Sequence, residues 1–188
     1  MWNIPLDFNH ASVAQWGVAI GASMVAAVCD LRTRRIPNRL TFSVLGLALL
    51  WAIWAGGLNG FVESIIACLI LAFPFVVLFV FAGGGAGDAK LMGALGAWLG
   101  IADGLVALVV VIIVGALWGL TLAVARKQLR AVLGRLLVMV RTVTLLVLTR
   151  NRLTEASSYF PSEEKMMPMT YAFPIFLGLC VSAIGVSL

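Results

Sequence analysis

The sequence has little charge: only 11% of its 188 residues are Asp, Glu, Lys or Arg, and 62% are hydrophobic. Because soluble domains carry about 25% charged residues, this composition excludes an ordinary soluble domain. The net charge of +5 does not indicate a nucleic-acid partner, since the basic residues flank apolar runs, as the orientation signals of membrane spans do. The composition instead predicts an all-α protein that crosses a lipid bilayer several times, each helical span taking about 20 residues.

The sequence also lacks the residues of a metal or redox centre. His10 is the only histidine, so there is no HExxH zinc motif and no suitably placed base for a serine-type triad. The three cysteines lie in apolar segments and form no CxxC pair: Cys29, Cys68 and Cys180. We interpret them as small buried hydrophobic residues. We therefore expect neither a metal nor a cofactor.

Six apolar segments are candidate transmembrane helices. They cover about residues 11–29, 40–54, 61–82 (with a kink expected at Pro74), 91–99, 104–125 and 170–188. Between the last two, a crossing helix would bury Arg135 and Arg141 at about 2.5–3.5 kcal/mol each. We therefore predict that 126–168 is a cytoplasmic segment made of an amphipathic helix in the membrane surface and an exposed loop over 151–168. Residues 1–188 are interpreted as one membrane-embedded domain.

The basic residues predict the orientation of these helices. With the N-terminus outside, all 13 Lys and Arg residues fall on the cytoplasmic side, as the positive-inside rule requires. The fourth segment is short, because a helix from Asp88 to Gly100 is about 20 Å long against a hydrocarbon core of about 30 Å. Either the bilayer is thinned there, or the glycine-rich loop before Asp88 lies below the membrane surface, beside protein or a water-filled cavity.

Two aspartates interrupt the apolar pattern on the predicted cytoplasmic side. Asp88 follows the glycine-rich residues 83–87, and Asp30 ends the first apolar segment just before a basic turn at 31–39. Carboxylates at such positions are costly and usually functional. If the helix ends meet, the two carboxyl groups can share one proton. The charged member can then activate a water and the protonated member can donate to the scissile amide, which is peptide hydrolysis without a metal.

Three neighbours of Asp88 are candidates for a supporting role. Gly85 and Gly87 permit positive φ and close backbone approach, which would let an extended substrate lie beside Asp88. Lys90 could orient Asp88 or hold it ionised. Simpler interpretations stay open: a tight glycine turn between helices, a positive-inside anchor at Lys90, and an Asp30 that only caps its helix and pairs with a nearby arginine.

Together these residues resemble the prepilin peptidases, the type IV leader peptidases of the GxGD aspartyl protease class. The tetrapeptide Gly85-Ala86-Gly87-Asp88 matches GxGD, and Asp30 with residues 35–41 resembles the first-aspartate motif. Residues 93–100 are typical of the segment after the second aspartate, and 167–174 resemble the proline-containing final span more loosely. The resemblance implies that Asp30 and Asp88 are the catalytic pair. It also implies a prepilin-like substrate, cut after a short basic leader at the cytoplasmic face of the bacterial inner membrane.

One departure from the family separates this sequence from its long bifunctional members. Those proteins carry a loop with paired CxxC motifs and also N-methylate their product. Without such a loop before Asp30, the sequence resembles the short type of the tight-adherence (Flp) pilus systems, and we predict leader removal without N-methylation. Two other functions stay open: a small proton-coupled transporter with a broken helix at the glycines, and a non-catalytic membrane protein of a pilus or secretion assembly.

Overall fold

The computed structural model describes residues 11–82, 85–125 and 171–187. Every regular element within these residues is a helix: α1 (Val13–Thr33), α2 (Asn38–Ala82), α3 (Ala86–Ala125) and α4 (Ala172–Ser187). The expected all-α class is therefore confirmed for the described part of the chain. The chain divides into two compact units, Met1–Trp118 with Thr170–Leu188, and Gly119–Met169. The predicted in-plane helix at 126–168 lies outside the described residues.

Two glycines divide α2 and α3 into two helical segments each. Gly57 (φ 59°, ψ −143°) separates 38–56 from 58–82, which we name α2a and α2b. Gly100 (φ 75°, ψ −173°) separates 86–99 from 101–125, named α3a and α3b. Positive φ costs glycine little because it has no Cβ. The helical backbone continues through Pro74 in α2b, and the break that divides α2 falls at Gly57.

With these breaks, the described residues contain six helical segments in the order predicted from the sequence. Three helices, Val13–Thr33, Asn38–Phe79 and Ala86–Ala125, are long and apolar enough to cross a membrane. A Cβ atom on Gly60 would lie 2.6 Å from the backbone oxygen of Ala52. This short distance between residues on either side of Gly57 shows that the chain folds back there. The number of crossings and the orientation remain predictions.

Helix α1 presents a stripe of small side chains to the protein interior. Its N-terminus has a capping box, in which Ser12 and Gln15 satisfy each other's backbone N–H groups. The buried residues recur at three- and four-residue intervals along one face: Trp16, Ala19, Ala22, Ser23, Ala26, Ala27 and Asp30. Small side chains allow helices to approach closely within a membrane, and α1 packs along α4. Because Asp30 ends this buried stripe, its side chain faces the protein.

Segment α3a lies at the centre of the first unit. All nine residues from 91 to 99 are buried, so the helix has protein on every side. The close approach of α2b depends on Gly96, where a Cβ atom would lie 2.8 Å from the backbone oxygen of Ala67. Ser64 of α2b donates a hydrogen bond to the Ala97 carbonyl over 2.8 Å, and the Trp98 indole donates to the Val44 carbonyl of α2a over 2.9 Å.

Gly96→Ala should destabilise the protein, because the new methyl group would collide with backbone that cannot move without shifting α2b. We expect a loss of about 1–3 kcal/mol, the usual cost of overpacking, measured as a lower thermal midpoint in detergent. Gly46→Ala is the matched control, since no atom lies within 4 Å of its Cβ position and alanine favours a helix. An unchanged midpoint for Gly96→Ala would contradict the close packing of α3a on α2b.

Candidate active site

Asp30 lies near the C-terminal end of α1 and is 8% exposed. Its carboxyl group accepts a hydrogen bond from the backbone N–H of Ala172, the first residue of α4. The first turn of a helix carries unpaired N–H groups and a positive partial charge, so the start of α4 is a favourable partner for a carboxylate. The side chain therefore connects α1 to α4, which the simpler interpretation of Asp30 as a cap paired with an arginine did not include.

Asp88 lies in the first turn of α3 and is 7% exposed. Its backbone N–H donates to the Gly85 carbonyl over 3.1 Å, and its side chain folds back over the same residue. A Cβ atom on Gly85 would lie 2.5 Å from Asp88 Oδ2. Glycine is therefore needed at 85 because the carboxyl group of Asp88 occupies the space that a larger residue would fill.

Asp30 and Asp88 lie within electrostatic range of each other. The charge of Asp30 acts on Asp88. At the opposite end of α1, the Gln15 side chain donates to the Trp98 carbonyl of α3a over 2.8 Å, so α1 and α3a run in opposite directions. Asp30 near the end of α1 and Asp88 at the start of α3a consequently lie at the same end of this antiparallel pair.

Gly87 has a different role from Gly85. A Cβ atom on Gly87 would lie 3.1 Å from the Cβ of Ile36, which belongs to the turn between α1 and α2. The missing side chain thus lets α3 approach the turn that follows Asp30. Neither Gly85 nor Gly87 uses the positive φ that glycine permits, because the described glycines with positive φ are Gly57 and Gly100.

Lys90 is exposed and faces away from Asp88. Its ammonium group donates to Asn38 Oδ1 over 3.0 Å and lies 5.8 Å from the centre of the Phe42 ring. Residues two apart on a helix do not share a face, which explains why Lys90 contacts α2a. Among the described residues, the expected contact with Asp88 is not formed, and Lys90 instead connects α3a to the start of α2.

The sequence analysis missed the contribution of α4 to this site. Ala172 binds Asp30 through its backbone, and Tyr171 lies within the electrostatic influence of Asp88. The only available signal was the loose motif at 167–174. In the described part of the chain, no group of three or more His, Cys, Asp and Glu side chains is arranged to hold a metal ion.

Comparison with known proteins identifies the family. A model described as the type IV leader peptidase family matches residues 17–120, which is more than half of the 188 residues and includes both aspartates. The chain belongs to the type IV leader peptidase family. With the apolar helices described above, this membership makes it an integral membrane protein.

One curated relative is the prepilin leader peptidase/N-methyltransferase of Pectobacterium carotovorum subsp. carotovorum. It is 35% identical over 126 residues, which are 63% of this chain and 44% of the relative. This leader peptidase family member therefore spans less than half of the relative's length. No solved structure matches the chain. The family match ends before α4, so the partner of Asp30 comes from outside the matched residues.

A double-mutant cycle on Lys90 and Asn38 tests the role of Lys90. We expect each alanine substitution to lower the free energy of unfolding by less than about 1 kcal/mol, the usual value for an exposed charged contact. The double variant should be hardly less stable than either single variant, because each substitution removes the same hydrogen bond. Fully additive losses, measured by thermal unfolding in detergent, would contradict this pairing.

Proposed function

We propose that this protein is a membrane aspartyl endopeptidase that removes the leader from prepilin-like proteins at the cytoplasmic face of the bacterial inner membrane. The observation that carries the proposal is that two buried aspartates, Asp30 and Asp88, lie at one end of antiparallel helices, where the charge of Asp30 acts on Asp88. Membership of the type IV leader peptidase family and the printed name of the Pectobacterium relative support leader removal as the reaction.

The surroundings of the two carboxyl groups suggest a role for each. Burial disfavours the charged form of both carboxyl groups, but Asp30 also accepts the Ala172 N–H at the start of α4, and a hydrogen bond of this kind favours its charged form relative to that of Asp88. Asp30 is therefore the general base. Asp88 holds the proton that the pair shares, since close like charges resist double ionisation, and it is the general acid.

Hydrolysis follows from these roles. Asp30 removes a proton from a water held between the carboxyl groups, and the water oxygen bonds to the scissile carbonyl carbon as Asp88 protonates the carbonyl oxygen. The tetrahedral intermediate then collapses. Its carbon–nitrogen bond breaks, the leaving nitrogen takes the proton from Asp30, and a hydroxyl proton returns to Asp88 as the carbonyl forms again. Each carboxyl group ends in its starting state.

The membrane topology is also a proposal. We place the N-terminus outside and let all six helical segments cross, with 1–188 as one membrane-embedded domain. Asp103, which accepts a hydrogen bond from the Ala11 N–H, lies beside the start of α1, while Asp30 lies near its end. This separation supports a topology in which Asp103 is outside and the two site aspartates are inside. We further propose leader removal without N-methylation, since none of the three cysteines belongs to a CxxC pair.

Asp30→Asn and Asp88→Asn should each abolish leader removal, by at least about 100-fold in rate, because each takes away a group that transfers protons. The assay reconstitutes the full chain in proteoliposomes with a prepilin-like substrate and S-adenosylmethionine. Gels report cleavage, and mass spectrometry reports the mass of the new N-terminus. Glu63→Gln is the matched carboxyl-to-amide control and should cleave within about twofold of the wild type.

The same assay distinguishes the alternatives. Substantial cleavage by either asparagine variant would overturn the aspartate pair. A wild type that passes protons without cleaving would favour the transporter, and pilus assembly supported by both asparagine variants would favour a non-catalytic role. A product one methyl group heavier would contradict the absence of N-methylation.

Gly85→Ala should lower the rate of cleavage at least about tenfold although it adds a single methyl group. The new Cβ atom would lie 2.5 Å from Asp88 Oδ2, so the carboxyl group must leave its position, and small displacements of reacting groups are costly. Gly17→Ala in α1 is the matched control, because no atom lies within 4 Å of its Cβ position. Normal cleavage by Gly85→Ala would show that Asp88 does not act from the position seen here.

A further inference from the structure

Tyr171 occupies a fixed position at the start of α4. Its carbonyl accepts the Ile175 N–H over 3.2 Å, the first hydrogen bond of the helix. The ring packs on α3b, where a Cβ atom on Gly115 would lie 3.3 Å from Tyr171 Cε1. One turn further along α3b, the rings of Trp118 and Phe173 lie 5.1 Å apart. The tyrosine ring is thus held between its own helix and α3b.

The dipeptide Tyr171–Ala172 reaches both aspartates. The N–H of Ala172 binds the Asp30 carboxyl group, and Asp88 is the charged group that acts on the Tyr171 hydroxyl. Pro174 has no N–H to offer, so the unpaired donors at the start of α4 are few. The backbone contact with Asp30 therefore places residue 171 at the end of α1 that carries Asp30.

The hydroxyl of Tyr171 has a donor to spare. Within the described residues it forms no hydrogen bond, and it is not fully enclosed, since the buried side-chain atom without a partner there is Trp16 Nε1. A phenol can donate one hydrogen bond. A substrate carbonyl placed beside Asp88 would supply the missing acceptor, and it gains negative charge as water attacks.

We infer that Tyr171 is a third catalytic residue, whose hydroxyl donates a hydrogen bond to the scissile carbonyl oxygen and stabilises the charge that develops there. This inference rests on the proposed peptidase function. The phenol transfers no proton: it keeps its hydrogen throughout, and Asp88 remains the acid. Donors aimed at a developing oxyanion act chiefly in the transition state, so their loss lowers kcat and leaves KM nearly unchanged.

Tyr171→Phe tests this role, because phenylalanine keeps the ring on Gly115 and removes only the hydroxyl. We expect kcat for leader removal to fall about 10- to 100-fold, in the range seen for lost oxyanion donors, with KM within about twofold and an unchanged thermal midpoint. Tyr159→Phe is the matched control, Tyr159 being the other tyrosine of the chain, and should cleave like the wild type.

Each other outcome has a definite meaning. A Tyr171→Phe variant with wild-type kcat overturns the inference, and so does one whose kcat and thermal midpoint fall together, since the residue is then structural. If the wild type cleaves and both Asp→Asn variants do not, these results leave the aspartate pair standing. If the wild type does not cleave, the proposed function fails and the inference with it.

Discussion

The hydrogen bond from the Ala172 N–H to Asp30 is the contact on which the site depends. It joins the last described helix to the first, across 142 residues of sequence that also contain Asp88. Because a helix N-terminus presents unpaired donors, this contact orients Asp30 without another charged side chain. It also determines where Tyr171 stands relative to Asp88. A protein with few charged residues thereby builds a polar site from backbone groups and helix ends.

The second constraint on the packing of this site is that three positions carry glycine, which has no side chain. Gly85 leaves room for the carboxyl group of Asp88, Gly87 lets α3 approach Ile36, and Gly96 lets α2b approach α3a. Inside a bilayer, helices gain little from burying apolar surface, so close packing supplies much of their association. The absence of Cβ atoms therefore makes room for the Asp88 carboxyl group at one end of α3a. Further along α3a, it allows the neighbouring helix to pack closely.

Much of this arrangement was predictable from local sequence. The apolar runs indicated the six helical segments, and the cost of a carboxylate among apolar residues singled out Asp30 and Asp88. The role of Gly85 depends on where the Asp88 side chain folds, which no local pattern shows. Lys90 is near Asp88 in sequence, but a spacing of two residues along a helix places it on another face, where it contacts α2a. The contribution of α4 depends on contacts between distant residues, which no local pattern shows.

The complete enclosure of α3a has a consequence for the membrane itself. A helix exposed to lipid must match the thickness of the hydrocarbon core, or the bilayer deforms around it. All nine residues from 91 to 99 are buried, so protein and not lipid solvates this short segment, and its length carries no penalty of mismatch. The depth of Asp88 is then set by the packing of α2 against α3. The protein therefore sets the depth of Asp88 in the membrane by its own packing, independent of the thickness of the lipids around it.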